Sequence, residues 1–188
     1  LASGEILRRW LPLRKDNVGY DLPGLLAGSE GTLAVITGAL LRLVVPPVRT
    51  AVAVVAVDDV PAATALIGAV EAGGLVLQAA ELMTADGVDL VVRHGARRPV
   101  PAGAPYYLLL EAAGATATDL AESLADVDGV VEAVADDGPA RELWAVRERH
   151  TEAIARGGAT PVVKFDVSLP AARIPAALAA TAQLAAQA

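Results

Sequence analysis

From residue 50 onward the apolar pattern runs strand, helix, strand, and then runs so again, an order that leaves few folds open. Residues 50–57, Thr-Ala-Val-Ala-Val-Val-Ala-Val, are rich in β-branched side chains. Residues 60–72 have helical spacing behind Asp58-Asp59, which supplies a cap, and residues 75–82 return to extended character after Gly73-Gly74. A helix over 84–94 and a proline-bracketed loop over 99–105 follow. The order then recurs with an extended 106–111, a helical 118–125 and an extended 130–135. Two such units in tandem predict an α+β domain of ferredoxin-like topology, an antiparallel sheet with helices on one face. The units share little sequence, so the recurrence is one of architecture.

Pro46-Pro47 forbids both helix and central strand and sets a boundary, dividing the chain into 1–46 and 47–188. The first part reads as a strand near 5–10, a turn-rich loop through Asp21, a short helix from Pro23 and a strand over 33–45. Leu1 opens what reads as a strand already under way, so we expect an internal fragment of a longer protein.

In the last third, Asp136-Asp137-Gly138-Pro139 reads as a helix start and Gly157-Gly158 as its stop, with about four turns between. Trp144, Arg147, Thr151 and Ile154 recur at helical spacing on one stripe. An Arg inside an apolar stripe must find an anion, and its forked donors suit a carboxylate. That anion is either internal, from Glu148, Glu152 or Asp166, or bound. Residues 162–169 alternate with a period of two, so Val163, Phe165, Val167 and Leu169 face one way and Lys164, Asp166 and Ser168 the other. Pro170 ends the strand, and an Ala-rich helix runs to Ala188, which predicts a second domain cut short at its C-terminal end.

A formal net charge of -7 argues against a nucleic-acid binder that relies on a basic surface, and Arg93, Arg97 and Arg98 read as a solvated helix end. The absence of Cys excludes disulfides, thiolate metal sites and Cys nucleophiles. No uncharged apolar run approaches the roughly 20 residues of a membrane span, and no secretory signal opens the sequence, so the expectation is a cytoplasmic protein. His94 reads as a helix-end residue and His150 as a surface residue, not as bases.

Ahead of Pro46, Gly28-Ser29-Glu30-Gly31-Thr32 precedes the apolar run Leu33-Ala34-Val35-Ile36. Glycines there take up a positive φ or let backbone N–H groups approach a ligand, although these five residues alone also fit a plain turn. The longer segment, with Lys15, Asn17, Gly19-Tyr20-Asp21 upstream and Thr37 downstream, resembles the end of the FAD-binding domain of vanillyl-alcohol-oxidase-type flavoproteins, in their D-2-hydroxyacid dehydrogenase branch. Leu143-Trp144-Ala145-Val146-Arg147-Glu148-Arg149-His150-Thr151, followed by Lys164-Phe165-Asp166-Val167-Ser168-Leu169-Pro170, resembles the substrate-facing helix and strand of that branch's cap domain. Ala34 replaces a usual Gly, and His150 a usual apolar residue.

The resemblance implies that residues 1–46 end an FAD-binding domain and residues 47–188 form a ferredoxin-like substrate cap. It implies flavin contact by Gly28, Ser29, Glu30, Gly31 and Thr32, extended to Asn17 and Ile36, and substrate-carboxylate contact by Arg147, Thr151 and Lys164. The implied reaction is oxidation of a D-2-hydroxyacid, D-2-hydroxyglutarate first, to the 2-oxoacid by hydride transfer to FAD. D-lactate and glycolate are the alternatives within the branch, an aldonolactone or alcohol oxidase lies further off, and a non-catalytic ferredoxin-like binding module is the alternative outside the class. The implied partners are the hydroxyacid, an electron acceptor and a second copy in a homodimer. The family's catalytic base and its divalent metal, expected to be zinc, sit in a His-x-x-x-Asp-Gly-Asn-x-His segment and a later Glu-His-Gly. Neither occurs here, so catalytic and metal residues are expected outside the chain and the isolated fragment is expected to be inactive.

Overall fold

Strand β1, Thr50–Val57, is paired along both edges, and the rest of its unit is arranged about it. The computed structural model describes residues 1–10, 12–13, 15–101, 103–138, 140–156 and 162–185. They form two compact units, Leu1–Pro46 and Pro47–Ala188.

The first unit holds one short helix among its described residues, α1 (Leu22–Leu26), whose N-cap Asp21 accepts a hydrogen bond from the Gly24 N–H at 3.0 Å. No strand is present at 5–10 or 33–45, contrary to the sequence expectation. Alternating apolar residues favour an extended chain, but a strand exists only where a second backbone completes its ladder. No described residue does so here, and Leu43 stands 91 % exposed.

In the second unit β1 pairs antiparallel with β3 (Tyr106–Ala113) on one side and β4 (Val130–Asp137) on the other. The strand β2 (Val76–Thr84) pairs antiparallel with β3, giving the sheet order β2-β3-β1-β4. Helix α2 (Val60–Ala72) joins β1 to β2, and α4 (Ala117–Leu124) joins β3 to β4. Each crossover skips one strand, which is the ferredoxin-like arrangement.

Local chemistry sets these boundaries. The carboxylate of Asp59 accepts from the Ala62 N–H at 2.7 Å to start α2, and Gly73 ends it with its N–H on the Ala69 carbonyl at 2.9 Å. Gly74, at φ +78°, then turns the chain into β2. At α4 a capping box closes: the Asp119 N–H donates to the Thr116 hydroxyl at 3.2 Å, and the Thr116 N–H donates to the Asp119 carboxylate at 2.8 Å.

The sheet is covered on both faces, which corrects the one-face expectation. Ala51, Ala53, Val55 and Val57 pack with Leu66 and Val70 of α2 and Leu120 and Leu124 of α4. On the other face Val52, Val54 and Ala56 pack with Val88 of α3 (Ala85–Arg93) and with Leu143 and Val146 of α5 (Arg141–Glu148). Helix α3 is inserted between β2 and β3, outside the minimal strand-helix-strand pattern. A strand buried on both faces must be apolar without alternation, and β1 is apolar at every position after Thr50. Leu66 is fully buried, and Leu66→Ala would cost about 2–5 kcal/mol.

Three further expectations change. Asp136 and Asp137 do not start a helix: they pair with Val52 and Ala51 as the end of β4, and the Asp137 carboxylate accepts from the Ala117 N–H at 2.7 Å. Backbone pairing with β1 outweighs the local helix-start signal, and α5 begins instead after Ala140 with no side-chain cap. The expected continuous helix is two, α5 and α6 (His150–Arg156), interrupted at Arg149. Residues 162–169 join no ladder, and Phe165 is 81 % exposed. Beyond them a 3-10 turn, Ala171–Arg173, leads into α7 (Ile174–Ala185). Pro139, Gly157 and Gly158 lie outside the described residues, as does the end of the Ala-rich helix.

Candidate functional site

The loop after α1 is built from left-handed backbone. Gly28 (φ +79°), Glu30 (φ +48°) and Gly31 (φ +80°) all have positive φ. Open space surrounds the position a Cβ would take at Gly28 or Gly31, so the conformation, not crowding, calls for glycine there. Ser29 ties the turn down, its N–H donating to the Leu26 carbonyl at 3.1 Å and its own carbonyl accepting from the Thr32 N–H at 2.9 Å and the Thr32 hydroxyl at 2.6 Å. The N–H groups of Glu30 and Gly31 have no partner among the described residues. Successive N–H groups in such a turn form a cradle for anionic or carbonyl oxygens.

A concavity of about 1000 Å³ lies within this unit, and Gly31, Thr32 and Ile36 line it together with Trp10 and Arg9. Its size suits an organic cofactor fragment. Arg9 braces one wall by an ion pair to Asp16 at 2.7 Å and by donating to the carbonyls of Tyr20, at 2.8 Å, and Val18. The Arg9 guanidinium, and after it the Val18 N–H, hold the Asp16 carboxyl below the usual carboxylate range. Asn17 is exposed, and neither it nor Gly28, Ser29 or Glu30 lines the concavity.

In the second unit, α5 sets two side chains against two carboxylates of the sheet. Trp144 donates its indole N–H to Glu111 Oε2 at 2.7 Å, and Arg147 Nε lies 3.2 Å from Glu81 Oε2. Glu81 stands opposite Leu109 in the β2/β3 register and Glu111 two residues further along β3, so both carboxylates rise from the face that α5 covers. The Arg147 side chain is 48 % exposed and that of Glu81 37 %. Arg147 is therefore not inside the apolar stripe. The interruption at Arg149 leaves Leu143, Val146 and Ala153 as the buried positions, while Arg147 and Thr151 face outward. Its internal anion is Glu81, not Glu148, Glu152 or Asp166.

Thr151 lies on α6 and Lys164 in the unpaired segment beyond it, both exposed. No hydrogen bond or ion pair among the described residues joins Arg147, Thr151 and Lys164. His150 is half-buried, its Nδ1–H donating to the Arg147 carbonyl at 3.0 Å, and its Nε2 sits where a Cβ on Gly87 of α3 would lie 2.8 Å away. The arginine cluster divides: Arg97 reaches Glu142 at 3.4 Å, while Arg98 turns inward to pair with Asp89, which raises the pKa of its guanidinium, and to the Tyr107 hydroxyl at 3.4 Å. Sequence reading missed Glu81 and Glu111. The signal available was a lone acid inside each of two largely apolar strands. No group of three His, Asp or Glu able to hold a metal occurs among the described residues, and no helix there is long and apolar enough to cross a membrane.

Against known proteins, the family described as FAD linked oxidases, C-terminal domain, matches residues 46–188. Mitochondrial D-2-hydroxyglutarate dehydrogenase of Rattus norvegicus is 38 % identical over an alignment covering 93 % of this chain and 34 % of the relative. D-2-hydroxyglutarate dehydrogenase of Xanthomonas citri pv. viticola is 36 % identical, covering 97 % of this chain and 40 % of the relative. A mitochondrial protein of Schizosaccharomyces pombe, provisionally named a D-lactate dehydrogenase, is 36 % identical over 90 % of this chain and 34 % of its own length. The chain thus spans 34 to 40 % of the length of these relatives. By the match over residues 46–188, the chain belongs to the FAD linked oxidases, through their C-terminal domain.

Proposed function

We propose that this chain is the flavin-adjoining and substrate-facing portion of an FAD-dependent dehydrogenase that oxidises D-2-hydroxyglutarate to its 2-oxoacid. The observation that carries the proposal is 38 % identity, over 93 % of the chain, to an enzyme named for that substrate. In this proposal residues 1–46 end the flavin domain and residues 47–188 form the cap.

FAD, when bound, supplies the acceptor for the hydride leaving C2 of the hydroxyacid. The loop and concavity of the first unit fit such a group, with Gly28, Ser29, Glu30, Gly31 and Thr32, and beside them Asn17 and Ile36, as its proposed contacts. The unpartnered N–H groups of Glu30 and Gly31 and the lining by Gly31, Thr32 and Ile36 support this assignment. Arg147, Thr151 and Lys164 are the proposed carboxylate holders. Arg147 makes no hydrogen bond through Nη1 or Nη2 among the described residues, and these donors can grip a carboxylate in one plane. Lys164 adds a point charge for a second carboxylate, which favours a dicarboxylic acid.

None of the described residues is assigned as the base that takes the hydroxyl proton. A divalent metal, zinc in this proposal, belongs to the full-length protein; the residues described here do not assemble a site for it. An external electron acceptor, a homodimer and a cytoplasmic location complete the proposal, with mitochondria, as in the rat relative's name, as the alternative compartment.

An anaerobic titration of the full-length protein tests it. D-2-hydroxyglutarate should bleach the oxidised flavin band at lower concentration than D-lactate or glycolate. Preferential bleaching by D-lactate would support the second reading, favoured by the Schizosaccharomyces pombe relative. A protein that takes up no flavin would overturn both.

A further inference from the structure

We infer that Glu81 is a positioning residue that aims Arg147 at the substrate carboxylate; this rests on the proposed role of Arg147. Their closest approach is Arg147 Nε to Glu81 Oε2 at 3.2 Å, an ion pair on the Nε side of the guanidinium, and Nη1 and Nη2 make no hydrogen bond among the described residues. A guanidinium is planar, so a carboxylate held against its Nε edge limits the plane and direction in which the two Nη groups point. Glu81 is well placed for this because its backbone is held in the β2/β3 ladder opposite Leu109. The helix end is anchored separately, since Trp144 lies one turn before Arg147 and donates to Glu111 at 2.7 Å on the same sheet face. Backbone and side chain of Arg147 are thus each fixed from the sheet. Half-exposure of the arginine leaves its outer edge open to a ligand.

The alternative consequence of the same contact is competition, in which Glu81 occupies the arginine and substrate must displace it. The two predict opposite changes. If Glu81 aims the guanidinium, Glu81→Ala in the full-length protein raises KM for D-2-hydroxyglutarate about three- to fivefold, the range expected of a half-exposed ion pair, and the loss falls on KM and not on kcat. Glu81→Gln keeps an acceptor oxygen at the same reach and recovers most of the loss. In an Arg147→Lys background, which has no planar fork to aim, Glu81→Ala raises KM no further.

A lower KM in Glu81→Ala would overturn positioning in favour of competition. An increase that persists unchanged in the Arg147→Lys background would assign Glu81 to the fold alone. Both outcomes are read only where the unsubstituted protein bleaches with a hydroxyacid. Should it fail to bleach, the substrate assignment falls, and this inference with it.

Discussion

Trp144 on α5 donates its indole N–H to Glu111 on β3 at 2.7 Å, joining the helical layer to the only acid in that strand. The cross-strand neighbours of Glu111, Val52 and Ala79, carry no side-chain donor, and an indole offers a single N–H in a fixed direction. Trp144→Phe keeps an aromatic body but leaves a part-buried acceptor unsatisfied. The expected cost is about 1–3 kcal/mol, read as a lower urea midpoint at unchanged slope. Combining it with Glu111→Ala should cost less than the sum of the two single changes, because both remove the same bond.

At the contact between α3 and α6 the usual helix rule reverses. Ala is better than Gly inside a helix by about 1 kcal/mol, so Gly87→Ala should stabilise α3 on propensity alone. A Cβ at Gly87 would, however, lie 2.8 Å from His150 Nε2. The imidazole would have to move, breaking its 3.0 Å contact with the Arg147 carbonyl. We expect Gly87→Ala to lower the thermal midpoint. In a His150→Ala background the same change should raise it, and a rise in both backgrounds would show that His150 yields without cost.

Two carboxylates make stability depend on acid pH. The Thr116 N–H and hydroxyl hold the Asp119 carboxyl below its ordinary range, and Arg9 and the Val18 N–H do so for Asp16. A group with a depressed folded-state pKa contributes stability that is fully present above its unfolded value, near pH 4, and is lost as pH falls through the folded value. Urea midpoints measured from pH 6 to 2.5 should therefore fall below about pH 4. Asp119→Asn should lower the midpoint at pH 6 and flatten the decline in acid. An equally steep decline in that variant would place the dependence on other groups.

How legible the fold was depends on the range of the interaction that decided each element. Helix α2 was readable because Asp59 and Gly73 punctuate it locally. The β1 strand declared its type through composition, and its unbroken apolar run also carried the two-faced burial that the strand-helix-strand pattern alone did not suggest. Asp136 and Asp137 misled because a helix-start motif is local, whereas their pairing with Val52 and Ala51 is not. Residues 162–169 have the period of a strand, but period selects a conformation and does not supply a partner. At the candidate site, spacing picked out Arg147 while giving the wrong anion. The partner, Glu81, lies on a strand remote in sequence, and only the sheet register brings it beneath α5.

The left-handed loop gives a test that separates strain from cofactor contact. Gly31 and Gly74 have nearly the same backbone, at φ +80° and +78°, and at neither would a Cβ meet another atom within 4 Å. An Ala at either position therefore carries the same left-handed penalty, about 1–2 kcal/mol, with no added clash. Their surroundings differ, since Gly31 lines the concavity beside Thr32 and Ile36 while Gly74 connects α2 to β2. In the full-length protein Gly74→Ala should lower the thermal midpoint but leave the flavin-to-protein absorbance ratio unchanged. Gly31→Ala should lower that ratio, because relaxing the strain turns the Glu30 and Gly31 N–H groups away from the cradle they form. Equal flavin content in the two variants would mean that the loop serves only as a turn, and the cofactor contacts proposed for Gly28 to Thr32 would have to be given up.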